Sequence, residues 1–554
     1  MSTRTLSLCC VSLAAFWAGC SATGSTFDSP TSSSGSGGSG TSGTSTSSGD
    51  TVTTGSDTTG SGSSTTGAGG DGAGTTTGGT GTGGSGSVMI GFSRPKLILP
   101  NDAMPATMVN VARTDWRKDL LSPTLMDHHH MDQPTVLNGY LLLNGNEEFF
   151  VYDMRDPKAP VLVSQRTTPN RCATCGGKGE GEAESHMTSF GRYGDSYYQV
   201  TTSGKGVTIW NVTDLAKPTF VKSITLEGIN YGDFTEAVWG LYWQGDTIYV
   251  GATNTGLDIL DAHDPNNVTF VKRLPTSAFG GVSAGPVYAV GNILVIMTPK
   301  SSGGLATLDI SDPQNPLALD ALKTTNSYIG QFYRRYVFLQ APVRLWDVLS
   351  DPTTISPTPI STLSTAKSEY MSFSDDFLFL GHLRPDAGAS KIDVSDPKSM
   401  KIVNRIWGRL DRTGNDDQFT IAVGNLLVMC DDQSPYYGAV IGVHATDPDK
   451  KPPVVDSIIP KDGSMGQSTK SRVGISLSDN IEFATVNGAS FMVRPVGGQP
   501  LAGKWGAAMG VVNFDPDEDL KPKTTYEVIL PKGGITDLVG NALVEDFKAT
   551  FTTQ

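Results

Sequence analysis

Three sets of residues in this sequence have the donor atoms of a reactive or ligating site. The first is Cys172-Ala173-Thr174-Cys175. Covalent haem attachment needs a histidine directly after the second cysteine, and residue 176 is Gly. A four-cysteine zinc site needs a second such pair, which the chain lacks. In an exported chain the pair reads as a local disulfide, with thiol exchange as the alternative. Cys430, which follows Val428-Met429 in an apolar run, reads as a buried thiol. The second set is Asp127-His128-His129-His130-Met131-Asp132, which holds three of the seven histidines. Adjacent side chains cannot all reach one ion, but two histidines and an aspartate can. The third set is Asp132, His186, Glu236, Glu369 and Asp417. Each stands at or near the start of an innermost strand in a repeated sheet, so together they would ring one mouth of a central channel. Such a mouth would be negative and suited to a divalent cation. The alternative is that polar residues start strands where the channel meets water. Tyr231, Trp239 and Tyr370 lie near the same starts and would suit a sugar ring. No nucleophile elbow, phosphate-binding loop or HExxH pair occurs after residue 87. No catalytic residue is assigned and no cofactor is expected, beyond the divalent cation the mouth would admit.

What must position these residues is a repeat. An apolar residue, an Asp, another apolar residue, one or two spacers and Asp-Pro recur along the chain. Copies read Val151-Tyr152-Asp153-Met154-Arg155-Asp156-Pro157, Ile259-Leu260-Asp261-Ala262-His263-Asp264-Pro265 and Ile392-Asp393-Val394-Ser395-Asp396-Pro397. Asp214, Asp312 and Asp351 mark three more, and Asp447-Pro448 ends a degenerate seventh that lacks the first Asp. Before each motif lie two β-rich runs joined by a tight turn, and after it comes one more alternating run. The turns Asn138-Gly139, Gly194-Asp195, Gly291-Asn292 and Gly424-Asn425 carry hairpin residues that tolerate positive φ. Four strands per unit, seven times over, predict a seven-bladed β-propeller across residues 132–450. The Asp-Pro corner suits a turn because Pro fixes φ while Asp accepts nearby backbone amides. The motif resembles the LVIVD-repeat family of exported bacterial propellers, and that resemblance implies fold and export but no reaction. The seventh unit runs straight into a new domain, so residues 88–131 are expected to supply a ring-closing strand, with Val88 to Pro100 favoured over Ala106 to Ala112.

After Lys450-Lys451-Pro452-Pro453 the grammar changes. Val454 to Gly463, Val473-Gly474-Ile475-Ser476-Leu477, Leu520 to Val528, Asp537 to Leu543 and Phe551-Thr552-Thr553 resemble the bacterial Ig-like domains of surface proteins. A β-sandwich over residues 451–554 is the expected fold. The acidic run Asp515 to Asp519 lacks the glycine and spacing of an EF-hand loop and reads as a solvated turn.

Residues 1–19 read as a signal peptide: Arg4 followed by an apolar run from Leu6 to Ala18 that is too short to span a bilayer. Trp17-Ala18-Gly19-Cys20 resembles the lipobox of bacterial lipoproteins, with Trp17 where an aliphatic residue is usual. The resemblance implies acylation of Cys20 and, with Ser21 after it, outer-membrane sorting. From Ser21 to Ser87, 57 of 67 residues are Gly, Ser or Thr, too polar to offset chain entropy. Residues 20–87 are therefore expected to be a lipidated, disordered stalk, with a span of about 45 Å from the scaling of flexible linkers.

The net charge of −14 argues against nucleic-acid partners, which need a basic surface. The expected protein is a monomeric lipoprotein on the outer membrane or cell surface of a Gram-negative bacterium. It would meet the membrane through its lipid alone and bind protein or glycan without catalysis. The alternative is an exported propeller enzyme, a metal-assisted hydrolase or lyase at the channel mouth.

Overall fold

Each copy of the repeat folds as an antiparallel meander, every strand pairing with the next along the chain. The computed structural model describes residues 124–126, 131–145, 148–169, 185–230, 233, 235–299, 303–324, 329–340, 342–365, 368–383, 387–408, 417–431 and 438–554. The side chains of Ser368 and Glu369 are excepted. The signal and stalk segments, Cys20, Val88 to Ala112, Asp127 to His130, Cys172, Cys175 and Tyr231 lie outside the described residues.

Four-stranded meanders occupy residues 135–167, 188–225, 240–274, 287–323, 330–363 and 368–406. A seventh, over residues 419–443, has three described strands. This propeller-like succession follows from the repeat. The turns read from sequence fall between the first two strands of their sheets, with Asn138, Gly139, Gly194, Gly245, Gly291 and Gly424 all at positive φ. The motif closes the third strand and turns into the fourth through two successive aspartate-capped turns. In the third copy, Asp261 Oδ1 accepts the His263 amide at 2.9 Å and Asp264 Oδ1 accepts the Asn266 amide at 3.0 Å. The sixth copy does the same with Asp393 and Asp396. Between them, the apolar residue (Ala262, Ile310, Val348 or Val394) is buried, and its amide donates back to the turn between the first two strands. Inner strands are largely buried, completely so in Gly240–Gln244 and Val287–Val290. Outer strands carry exposed apolar residues such as Val161 and Leu317.

Ala439–Val443 is the outermost described strand of the seventh sheet. Leu125 pairs with Ala439 there, exchanging backbone hydrogen bonds of 2.7 and 2.9 Å. The N-terminal flank thus reaches the edge where a fourth strand belongs.

Residues 455–553 form a two-sheet sandwich. Its core is built from alternating inward residues: Val473, Ile475, Phe514, Tyr526, Val528 and Phe551. No helix of the described residues is long and apolar enough to cross a membrane.

Candidate functional site

The starts of the inner strands are packed with side chains. Asp132 is fully buried and its Oδ2 accepts the Ser185 amide at 2.7 Å, tying the first sheet to the second. His186 is stacked on Trp239 at 4.1 Å between ring centroids and on Tyr370 at 5.8 Å. Its Nδ1 lies 3.2 Å from the Val238 carbonyl oxygen. Tyr370 in turn stacks on Phe419 at 3.8 Å. Asp417 is buried and its amide donates to the His382 carbonyl, while Glu236 is half-buried in the turn that Asp233 begins. Among the described residues, none of Asp132, His186, Glu236 and Asp417 belongs to a group of three ligating side chains that meet. The side chain of Glu369 is outside the description. Trp239 and Tyr370 are buried in this stack and are not presented to solvent as a sugar-binding face. Cys430 is a buried thiol in the seventh sheet.

At the other end of the inner strands sits the Ig-like module. Its strand Gly503–Ala508 pairs antiparallel with Thr188–Tyr193, the inner strand of the second sheet, through Trp505–Arg192, Gly506–Gly191 and Ala507–Phe190. Sandwich and meander become one eight-stranded sheet. Side chains reinforce the junction. Tyr242 Oη donates to the Val511 carbonyl at 3.1 Å, and Asn513 Oδ1 accepts the Gly291 amide at 2.8 Å. Glu482 accepts the amides of Asn138 and Gly139 at 2.7 and 3.1 Å. The tip of the next hairpin brings Met509 Sδ to 3.0 Å from Gln331 Nε2. The space left between inner strands and module is a cavity of about 30 Å³, lined by Val136, Phe190, Tyr288, Ile421, Met509 and Leu538. A buried water needs about 10–15 Å³ of such space, so the cavity has room for about two.

Two polar features flank this junction. A groove of about 590 Å³ runs between the third and fourth sheets and the module, lined by Asp246, Asp261, Asp312, Lys470, Arg472 and Asp517. Its charges are largely paired: Arg472 Nε lies 3.1 Å from Asp515, and Lys504 bridges Asp246 and Asp517. Of the acidic run read from sequence as a solvated turn, Asp517, Glu518 and Asp519 are exposed and Asp515 is buried. The second feature was not legible in the sequence, because its members are solitary aspartates in separate turns. Oxygens of Asp375, Asp449 and Asp479 lie within 4.8 Å of one another, with Asp537 beside them. Asp375 is in the first turn of the sixth sheet, Asp449 in the linker, Asp479 and Asp537 in the module. Burial pushes the Asp375 and Asp537 carboxyls up to about 6, and Asp479 rises well above the usual range. Counter-charge comes from the chain itself: Lys451 Nζ lies 3.6 Å from Asp375 and 2.5 Å from Asp376, which also pairs with Arg334.

The fold is thus an all-β, propeller-like array of small sheets joined to an Ig-like sandwich. Residues 449–553 match the family described as the bacterial Ig-like domain. No curated protein matches the chain. Similar solved structures include U3-55K, at 11% identity over 58% of this chain and 97% of that one, TM-score 0.41. The WD40 repeats of RRP9 match at 10% identity over 58% and 98%, TM-score 0.40. The computationally designed Ika8 protein matches at 11% over 59% and 99%, TM-score 0.38.

Proposed function

We propose that this chain is an exported, lipid-anchored binding scaffold: a seven-bladed propeller that presents one face to a protein or glycan ligand. The observation that carries the reading is the strand pairing of Gly503–Ala508 with Thr188–Tyr193. It commits the Ig-like module to one end of the channel and leaves the face that carries the strand-to-strand returns between sheets for a partner. Loops held on a rigid scaffold are where binding residues concentrate. The filled inner-strand starts, with His186, Trp239, Tyr370 and Phe419 stacked on one another, favour surface binding over a reaction inside the channel. Ig-like modules of this family in exported surface proteins agree with the signal, lipobox and stalk read from residues 1–87.

Binding of the fragment from residue 88 to an array of bacterial surface glycans and exported proteins tests the scaffold. Reversing charge at Glu227 and Asp233, exposed on the open face, is expected to weaken any specific binding at least tenfold. Reversing it at Asp312, on the module side, is expected to leave binding unchanged, and the opposite pattern would overturn the reading. Cys20→Ala is expected to release the protein from the membrane fraction, and retention would sink the anchor.

A further inference from the structure

The junction between the sixth sheet and the Ig-like module holds more negative charge than its surroundings neutralise. Asp479 is 4% exposed, and among the described residues its Oδ1 accepts the amide of the adjacent Asn480, at 2.7 Å. No cationic side chain pairs with it among the described residues. The carboxylates of Asp375 and Asp449 come within 4.8 Å of it, and Asp537 also faces it. On the sheet side, the Tyr333 hydroxyl lies against the Ser478 and Asp375 carbonyl oxygens, and its single proton serves one of them at a time. Asn480 Nδ2 donates to the Phe373 carbonyl at 2.7 Å, so the cluster lies directly under the contact that joins the two bodies. The charged groups facing it are Asp375, Asp376, Arg334 and Lys391 from the sheets, Asp449 and Lys451 from the linker, and Asp537 from the module. Lys451 and Arg334 both pair with Asp376, at 2.5 and 2.8 Å, and Lys451 also lies 3.6 Å from Asp375.

We propose that Asp479 and the carboxylates around it are a proton-operated latch, which holds the module against the sixth sheet when protonated and loosens it when fully ionised. The physical reason is direct. Like charges at this separation, removed from water, cannot all be ionised without cost, and a proton is the smallest group that relieves it. The sign follows from linkage. These carboxyls bind protons more tightly in the closed junction than in an open, solvated one, so acidification closes and alkalinity opens. The stability they contribute is present below the ordinary carboxylate range and is lost as pH rises through about 6, where Asp375 and Asp537 titrate. The latch regulates access to the sealed end of the channel and does not depend on what the open face binds.

Hydrogen exchange of the protein in chelator, between pH 5 and 8, tests this. The reporters are the amides of Asn138, Gly139 and Gly291, which donate across the junction to Glu482 and Asn513. Corrected for intrinsic exchange, their protection is expected to rise as pH falls, by up to tenfold per pH unit for each proton taken up. Asp479→Asn keeps the shape and removes the charge. It is expected to raise protection at pH 8 towards the value the parent shows at pH 5 and to shallow the profile, the remaining slope being that of Asp375 and Asp537. Asp375→Asn makes the same prediction from the sheet side, so a folding failure of one variant leaves the other to decide. Protection that is constant or falls on acidification, or an unchanged profile in both variants, would overturn the latch. So would 1 mM calcium at pH 8 reproducing the effect of acid, since a cation and not a proton would then be the key.

Discussion

Gly506 of the Ig-like module pairs with Gly191 of the second sheet, and Trp243 closes over both. A Cβ on Gly191 would lie 2.7 Å from Trp243 Cε2, and one on Gly506 would lie 2.1 Å from the Trp243 carbonyl oxygen. Ordinary carbon contacts need about 3.5–4.0 Å. These glycines are therefore required by close approach, and neither is required by an unusual φ. Gly506→Val is expected to cost about 1–3 kcal/mol or more, the usual range for overpacking a filled site. Urea unfolding followed by tryptophan fluorescence would measure it. A neutral result would mean that the two bodies are not joined by this strand pair.

Glu482 makes a second, independent tie. It is fully buried and takes the amides of both residues of the first sheet's tight turn. Hydrogen bonds to a charged acceptor contribute about 1.5–3 kcal/mol each, and an amide left buried without a partner costs about as much. Glu482→Ala is expected to destabilise by about 3 kcal/mol, with Glu482→Gln intermediate. Both are checked by denaturant midpoints. Equal stability of parent and Glu482→Ala would place the turn in water.

How much of this was legible beforehand divides along sequence distance. The repeat announced its meanders because each unit is local: turn glycines, alternating strands and Asp-Pro corners act within about 40 residues of one another. The Ig-like module was equally legible from its own strand pattern. The pairing of Gly506 with Gly191 was not, because two isolated glycines 315 positions apart carry no joint signal. The same holds for Asp375, Asp449 and Asp479, each an unremarkable turn aspartate until the module docks. Sequence reasoning offered Asp132 and His186 at a channel mouth as candidate ligands, with polar strand starts as the alternative. Asp132 serves the Ser185 amide and His186 stacks on Trp239, because inner-strand starts in this fold are also packing positions.

The aspartates that open each motif act locally, so their effects should add. Asp309 Oδ1 accepts the Ser311 amide at 2.7 Å, and Asp393 Oδ1 accepts that of Ser395 at 3.0 Å. Replacing either by Ala is expected to cost about 1 kcal/mol, the net worth of a typical hydrogen bond. The double variant should equal the sum to within about 0.5 kcal/mol, as expected for sites that share no partner. Thermal or urea unfolding of the four proteins measures this. A double variant far worse than the sum would show that the units melt as coupled neighbours.

His444 gives a pH response opposite to that of the latch. Burial, and then the Lys391 ammonium 3.2 Å from its Nδ1, push the imidazole down to about 3. Its Nε2 lies 2.8 Å from the Gly424 carbonyl oxygen, so the neutral ring donates there and offers Nδ1 to the lysine. The unfolded chain takes up a proton near the ordinary histidine value of 6.5 while the folded chain does not. The stability that the neutral His444 contributes is therefore full above pH 6.5 and falls as pH drops towards 3, at a limiting slope of about 1.4 kcal/mol per pH unit. His444→Gln is expected to retain an acceptor for Lys391 and to flatten this acid loss. Comparing urea midpoints of parent and variant at pH 7 and pH 4.5 isolates the term. An acid loss of the same size in both would assign it to other groups.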